Sequence, residues 1–272
     1  MNAREKLIAS CERTKSLVCI GLDIDPKRVP KICGEGIKGM FQFALKIIAA
    51  TSDVAAAYKP NMGFFEALGP EGLSLLKHII SRIPPEAAII LDAKRGDIGN
   101  TSEFYARTVF DIYKADWTTV NPYLGFDSIK PFLDRKDKGA FILCLTSNPG
   151  AQDFQWLQAD QVPLYLHVAR KAATWNTNGN CGLVVGATYP EQISAIREAA
   201  GDMPFLIPGI GAQGGDLEKA VRFGTANFTR PAVINVSRGV LYASEGEDFD
   251  RAARAEVVGL NEIINRLKKS PA

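Results

Sequence analysis

Residues 91–101, LDAKRGDIGNT, place two acids and two bases in six consecutive positions directly behind an apolar run. On a strand, Asp92 and Lys94 point to the same face, about 6–7 Å apart along the chain. Lys59 closes an earlier apolar run, and if the two strands pair it lies about 4.8 Å away. With Asp23 these residues form an arc of alternating charge. Buried ion pairs do not reliably stabilise a fold, because desolvation offsets their attraction. Such an arc is better suited to acid–base work and to stabilising charge that develops on a reacting atom. A second group looks built for an anion. Gly209, Gly211, Gly214 and Gly215 let backbone N–H groups approach a ligand closely, and Arg238 can grip a phosphate with two parallel hydrogen bonds.

These residues need a scaffold that brings distant segments together. Eight apolar, β-branched runs recur: 16–23, 54–61, 87–94, 117–123, 140–147, 182–188, 205–211 and 232–239. Each is nearly continuous rather than alternating, as expected of parallel strands buried on both faces. Helical patterns fill most gaps. Residues 40–50 set Phe41, Leu45 and Ile48 on one face, and 71–83 do so with Leu73, Leu76, Ile80 and Ile83. PEQISAIREAAG (190–201) opens on Pro and closes on Gly, as helices do. Strand–helix alternation over 272 residues predicts a (β/α)8 TIM barrel occupying 1–272 as one domain. The connection at 148–180 is long, and is expected to add a turn of structure, part of a lid, before its helix. In this fold chemistry gathers where strands end, and there stand Asp23, Lys59, Asn61, Asp92, Lys94, Asn121, Thr146, Ser147, Pro208, Ser237 and Arg238.

Composition narrows the function. The net charge of +2 argues against nucleic acid or a membrane surface as partner. No apolar run approaches the ~20 residues that span a bilayer, and the charged N-terminus is no secretory signal. Five scattered cysteines without a CxxC pair suggest neither a disulfide framework nor zinc, and a reduced, cytoplasmic setting. Two histidines exclude a histidine-rich metal site and leave acid–base work to Lys, Asp or Glu.

Plainer readings stand beside these. Asp92 and Lys94 also read as a structural ion pair. Asp97 and Thr101 read as caps of the following helix, Asp23, Gln213 and Ser147 as turn residues, and Arg238 as a solvated surface side chain. His78 and His167 read as helix residues without a role, and Trp117, Trp156 and Trp175 as packing.

The motif DAKRGDIGNT resembles the Asp-x-Lys-x-x-Asp signature of the orotidine 5′-phosphate decarboxylase family, with its Thr four residues on. The first-strand GLD, the second-strand Lys-Pro-Asn, TSNPG, PGIGAQGGD and the terminal SRG extend the resemblance over most of the chain, toward the family's longer bacterial branch. The resemblance implies that Lys59, Asp92 and Lys94, with Asp97 from a partner subunit, form a charged tetrad in which Lys94 donates the proton. It implies that Asp23 and Lys59 hold ribose hydroxyls, assisted by the partner's Thr101. Ser147 would read the pyrimidine and Pro208 would line the apolar wall near the departing carboxylate. Gln213 and Arg238 would bind phosphate, with an amide near Ser237. A homodimer with shared sites follows, as does conversion of orotidine 5′-phosphate to UMP without cofactor or metal.

Other functions compete. A Schiff-base aldolase would use Lys59 or Lys94 as nucleophile, but flanking carboxylates favour the charged ammonium. A metal-dependent decarboxylase or epimerase of the same barrel group would place a carboxylate where this chain has Lys59. A non-catalytic phosphate-binding module would not need the buried charges.

Overall fold

The structure, a computed structural model, describes residues 1–211 and 214–269. All eight apolar runs form strands: β1 Val18–Leu22, β2 Ala57–Pro60, β3 Ala88–Arg95, β4 Trp117–Val120, β5 Gly139–Leu145, β6 Cys181–Val185, β7 Phe205–Pro208 and β8 Ala232–Val236. Each pairs in parallel with its sequence neighbours, and β8 closes on β1 through Val18↔Ile234, Cys19↔Asn235 and Ile20↔Val236. The architecture is the expected (β/α)8 barrel. Several strands stop short of their apolar runs, and the remaining tails are the loops that carry the polar residues.

Alternation sorts the strand residues into two cores. Val18, Ile20, Leu22 and their counterparts face outward and pack under the helices. Inside, Cys19, Ala57, Ile90, Trp117, Phe141 and Leu206 belong to a separate cluster that fills the barrel. Trp117 and Phe141 sit with ring centroids 4.5 Å apart. Gly139 makes room for them, since a Cβ there would fall 2.3 Å from the Trp117 ring. The N-terminal helix Ala3–Thr14, opened by an Asn2–Glu5 capping box, joins this inner cluster through Ala3 and Leu7. Trp117 Nε1 donates to the Ala3 carbonyl at 3.0 Å and Lys6 pairs with Asp116 at 2.6 Å, so the helix lies across the N-terminal mouth.

Two helix faces differ from expectation. In Gly36–Thr51 the buried stripe is Met40, Phe43, Ala44, Ile47, Ile48 and Thr51, while Phe41 and Leu45 are only half-buried. In Gly69–Ile80, Leu75, Leu76, Ile79 and Ile80 are buried and Leu73 is exposed. Both segments are apolar around much of their circumference, so several stripes compete in the sequence and packing selects one. The 190–201 helix runs Pro190–Ala200, and Gly201 ends it at φ 61°.

The 148–180 connection holds the expected extra turn, Pro149–Asp153, and its helix, Leu164–Trp175. It also holds a small hairpin pairing Gln158–Ala159 with Val162–Pro163. The turn residues Asp160 and Gln161 both take left-handed φ, 51° and 62°. Such turns favour Asn-Gly or Asp-Gly, so Asp-Gln carries little signal. His167 Nε2 lies 2.8 Å from the Ala159 carbonyl, tying hairpin to helix.

Candidate active site

The polar strand ends converge at the C-terminal mouth of the barrel. Lys59 Nζ donates to Asp92 Oδ2 at 2.7 Å, and the two side chains are 5% and 8% exposed. Lys94 Nζ donates to the other oxygen, Oδ1, at 2.6 Å. Thr119 Oγ1 also donates to Oδ1, at 2.8 Å, and itself accepts from the Lys94 backbone N–H at 2.9 Å. Asp92 is thus held by two ammonium groups and a hydroxyl. The arc of charge exists, but not through regular strand geometry. The β3–β4 register slips between Leu91 and Arg95, and Lys94 takes φ 45°. A left-handed non-glycine residue costs about 1–3 kcal/mol and persists only where surrounding contacts enforce it. Here the kink folds Lys94 back over Asp92 and leaves its side chain 50% exposed, where a regular strand was expected to bury it.

Electrostatics follow from these contacts. Burial alone would lower the Lys59 pKa, but Asp92, Asp23 and the hydrogen bond to Asp92 outweigh it and hold the amine above the ordinary lysine range. Burial alone would raise Asp92, but Lys59 and Lys94 outweigh it and hold the carboxyl well below the usual carboxylate range. The thiols are not candidates for nucleophilic chemistry. All five cysteines are free, and burial pushes Cys11, Cys19 and Cys181 up to about 12.

A cleft of about 190 Å³ opens above this cluster. Asp23, Lys59, Asn61 and Asp92 line one side, and Pro208, Gly209, Asn235, Ser237 and Arg238 line the other. Asp23, Lys59 and Asp92 of the charged arc therefore share one cavity with Gly209 and Arg238, and Lys94 is joined to it through Asp92. Asp23 does not serve the following turn. Asp25 does that, its Oδ1 accepting from Lys27 N at 2.9 Å, while Asp23 Oδ1 is buried without a partner. Tyr242 anchors this segment. Its hydroxyl donates to the Asp23 carbonyl at 3.3 Å and accepts from Asp25 N at 2.8 Å. In the loop after β7, Gly209, Gly211 and Gly214 all take positive φ, and Gly215 N donates to the Gly209 carbonyl at 3.1 Å. Gln213 lies outside the described residues. Arg238 is exposed and opens a single helical turn, Arg238–Leu241.

Four expected site residues among those described do not line this cleft: Lys94, which is hydrogen-bonded to Asp92, and Asp97, Thr101 and Ser147. Asp97 Oδ1 accepts from Ile98 N at 2.8 Å, and Thr101 is exposed in the first turn of the helix Gly99–Arg107. Neither caps that helix, whose cap position is Ile98 with no side-chain bond. Ser147 is half-buried beyond the end of β5, against Gly186 of the next loop. Its loop is clamped by Gln155, whose Oε1 accepts from Thr146 N at 2.8 Å and whose Nε2 donates to Thr146 Oγ1 at 2.8 Å.

Sequence reasoning did not single out Thr119, Gln155, Asn235 or Tyr242. Asn235 had a signal, being the one polar residue of AVINV. Thr119 had a weaker one, its hydroxyl falling on the inward parity of β4.

Comparison with known proteins adds to this geometry. The profile of the family described as "Orotidine 5′-phosphate decarboxylase / HUMPS family" matches residues 16–252. A protein of Roseiflexus sp. (strain RS-1) named orotidine 5′-phosphate decarboxylase is 51% identical over 267 residues, covering 97% of this chain and 98% of that protein. Among solved structures, Leishmania donovani OMP decarboxylase superposes with a TM-score of 0.88 at 37% identity, with all of both chains covered. Leishmania donovani UMP synthase gives 0.90 at 39% identity, covering all of this chain and 58% of that one.

Proposed function

The chain belongs to the orotidine 5′-phosphate decarboxylase family, and from that membership we propose how its cleft carries out the decarboxylation of orotidine 5′-phosphate to UMP, the closing step of pyrimidine nucleotide synthesis. One observation carries the reading: a carboxylate fixed between a buried ammonium and a half-exposed one, in the same cavity as a glycine loop and an arginine. Loss of CO2 from C6 of the orotate ring leaves a carbanion with no adjacent carbonyl to accept the charge. The enzyme must therefore stabilise that charge electrostatically, with groups already in place. Lys94 supplies a half-exposed ammonium held beside Asp92, stabilises the carbanion and then delivers a proton to C6. Lys59 holds Asp92 ionised and in place, and Asp92 repels the substrate carboxylate, a strain that is relieved as CO2 departs.

The nucleotide lies with its phosphate at Arg238, Gln213 and the glycine loop, and its ribose against Asp23 and Lys59. Its pyrimidine faces Ser147, and Pro208 forms the wall beside the leaving group. Phosphate binding, remote from the reacting carbon, supplies energy to close loops and expel water. No cofactor or metal enters the scheme.

The catalytic unit is a homodimer of single-domain barrels, in which Asp97 and Thr101 of one subunit complete the other's site. Two features support this. Both residues stand clear of their own cleft, and Ile98, Phe104, Tyr123 and Leu124 of the same end of the barrel are exposed at 57%, 62%, 82% and 46%. Ile98 directly follows Asp97 and Phe104 lies three positions after Thr101 in the chain, and exposed apolar groups of this kind suit an interaction site. Cytoplasmic residence fits the free cysteines, and no helix among the described residues is long and apolar enough to cross a membrane.

The decisive experiment mixes metal-stripped protein with orotidine 5′-phosphate in EDTA and follows the loss of ring absorbance. Turnover is expected, and absence of turnover sinks the reading. Schiff-base chemistry requires a neutral amine, whereas Lys59 is held protonated. Borohydride is therefore expected to trap no adduct.

A further inference from the structure

The cleft contains two buried oxygen acceptors without partners, Asp23 Oδ1 and Asn235 Oδ1. Asp23 already has a place in the reaction proposed above. Asn235 has none. It points into the barrel from β8, paired in register with Cys19 of β1 and Pro208 of β7, and it is 7% exposed. Its amide makes one internal contact, Nδ2 donating to Ser237 Oγ at 3.4 Å. Space for that pair comes from Gly21, where a Cβ would lie 1.9 Å from Ser237 Oγ and 3.3 Å from Asn235 Oδ1.

Burying an acceptor without a donor is unfavourable, and an apolar side chain of equal size would fill the position without that cost. The next inward residue along β8, Val233, is apolar and fully buried. Asn235 is therefore accounted for by a donor arriving with the ligand. The cleft's other groups are committed. Both oxygens of Asp92 are occupied, and Lys59 and Arg238 are donors suited to anionic oxygens. Among the described residues of the cleft, the buried side-chain acceptors left without a donor are Asp23 Oδ1 and Asn235 Oδ1, one after β1 and one on the adjacent β8. A phosphate dianion offers no hydrogen to them, whereas a ribose diol offers two on neighbouring carbons.

Resting on the function proposed above, we infer that Asn235 contacts the substrate directly, its carboxamide oxygen accepting one ribose hydroxyl while Asp23 accepts the other. The test measures binding of UMP, 2′-deoxy-UMP and 3′-deoxy-UMP to wild type and to Asn235→Leu by calorimetry, alongside thermal melts. Wild type is expected to lose about tenfold in affinity when the contacted hydroxyl is removed. Asn235→Leu is expected to bind UMP about tenfold more weakly, to show no further loss with that deoxynucleotide, and to melt no lower than wild type, since the unpaired acceptor is gone. If the variant binds UMP within twofold of wild type, or if both deoxynucleotides keep their full penalty in it, the contact does not exist. Asn235→Ser, which shortens the side chain, takes the same measurements should the leucine variant fail to fold. Wild-type protein that neither binds UMP nor turns over orotidine 5′-phosphate would sink the function itself. An active wild type with an indifferent Asn235→Leu sinks only this inference.

Discussion

Replacing Asp92 with Asn tests the electrostatic core of the site. The substitution keeps size and hydrogen-bonding atoms but removes the charge that holds Lys59 protonated at 5% exposure. Breaking a buried pair by removing one partner costs roughly 3–5 kcal/mol. Asp23 still faces Lys59 and is its next strongest electrostatic partner, so the low end applies, about 3 kcal/mol. For a chain of this size that lowers Tm by roughly 6–12 °C at neutral pH. The pH dependence is more diagnostic. In wild type, Lys59 lies above its ordinary 10.5 and Asp92 below its ordinary 3.8. Their contribution is complete between those two values. It is lost below that window as Asp92 protonates and above it as Lys59 deprotonates. In Asp92→Asn both contributions from Asp92 are gone while burial, the largest influence on Lys59, stays, so the folded-state pKa is expected to fall below the ordinary lysine value. The unfolded chain then binds more protons than the folded one, so stability rises with pH across the alkaline range. Melts of both proteins from pH 7 to pH 10 measure this. A variant melting within about 2 °C of wild type at pH 7, with the same alkaline slope, would show that Asp92 is not what keeps Lys59 charged.

Lys94→Ala is expected to lower kcat by at least 10²–10⁴-fold, roughly the share carried by a general acid. It should leave UMP affinity within a few-fold and Tm nearly unchanged, because the side chain is half exposed; substantial decarboxylation by this variant refutes the proton-donor role. Arg238→Ala should weaken UMP binding by about 10–100-fold, the size of a charge-assisted contact, while leaving uridine binding unaltered in the same calorimetric titration. Gln155→Leu strips Thr146 of its clamp and should raise KM by about tenfold through the displaced Ser147 loop, with kcat less affected; a KM equal to wild type removes the clamp from the account. Subunits carrying Lys94→Ala and Asp97→Ala, each inactive alone, should recover roughly a quarter of wild-type activity when mixed, since half of randomly assembled dimers carry one intact site. No recovery, with subunit exchange verified, rules out shared sites.

The barrel was legible because strands buried on both faces leave continuous apolar runs, and all eight did so. Their polar tails were legible as a site for the same reason: Asp23, Lys59, Asp92, Pro208 and Arg238 all reach one cleft. What escaped depends on relations between segments. The helix Gly36–Thr51 carries so many apolar residues that its buried stripe is decided by packing. The kink at Lys94 arises where its backbone meets Thr119, 25 positions away, and no local signal in DAKRG records that meeting. Asp97 and Thr101 stand clear of the cleft of their own barrel, a placement that their spacing alone does not record. Asn235 was visible as a polar interruption of an apolar strand, yet its meaning depended on finding its oxygen unpaired.

The helix laid across the barrel's far mouth makes this a tube with one open end. Trp117, Phe141 and Leu7 plug the bore below the charged layer. Whatever enters must leave by the same doorway, including a small neutral gas formed at the bottom of the cleft. CO2 and UMP, the two products of the decarboxylation, therefore share that one opening.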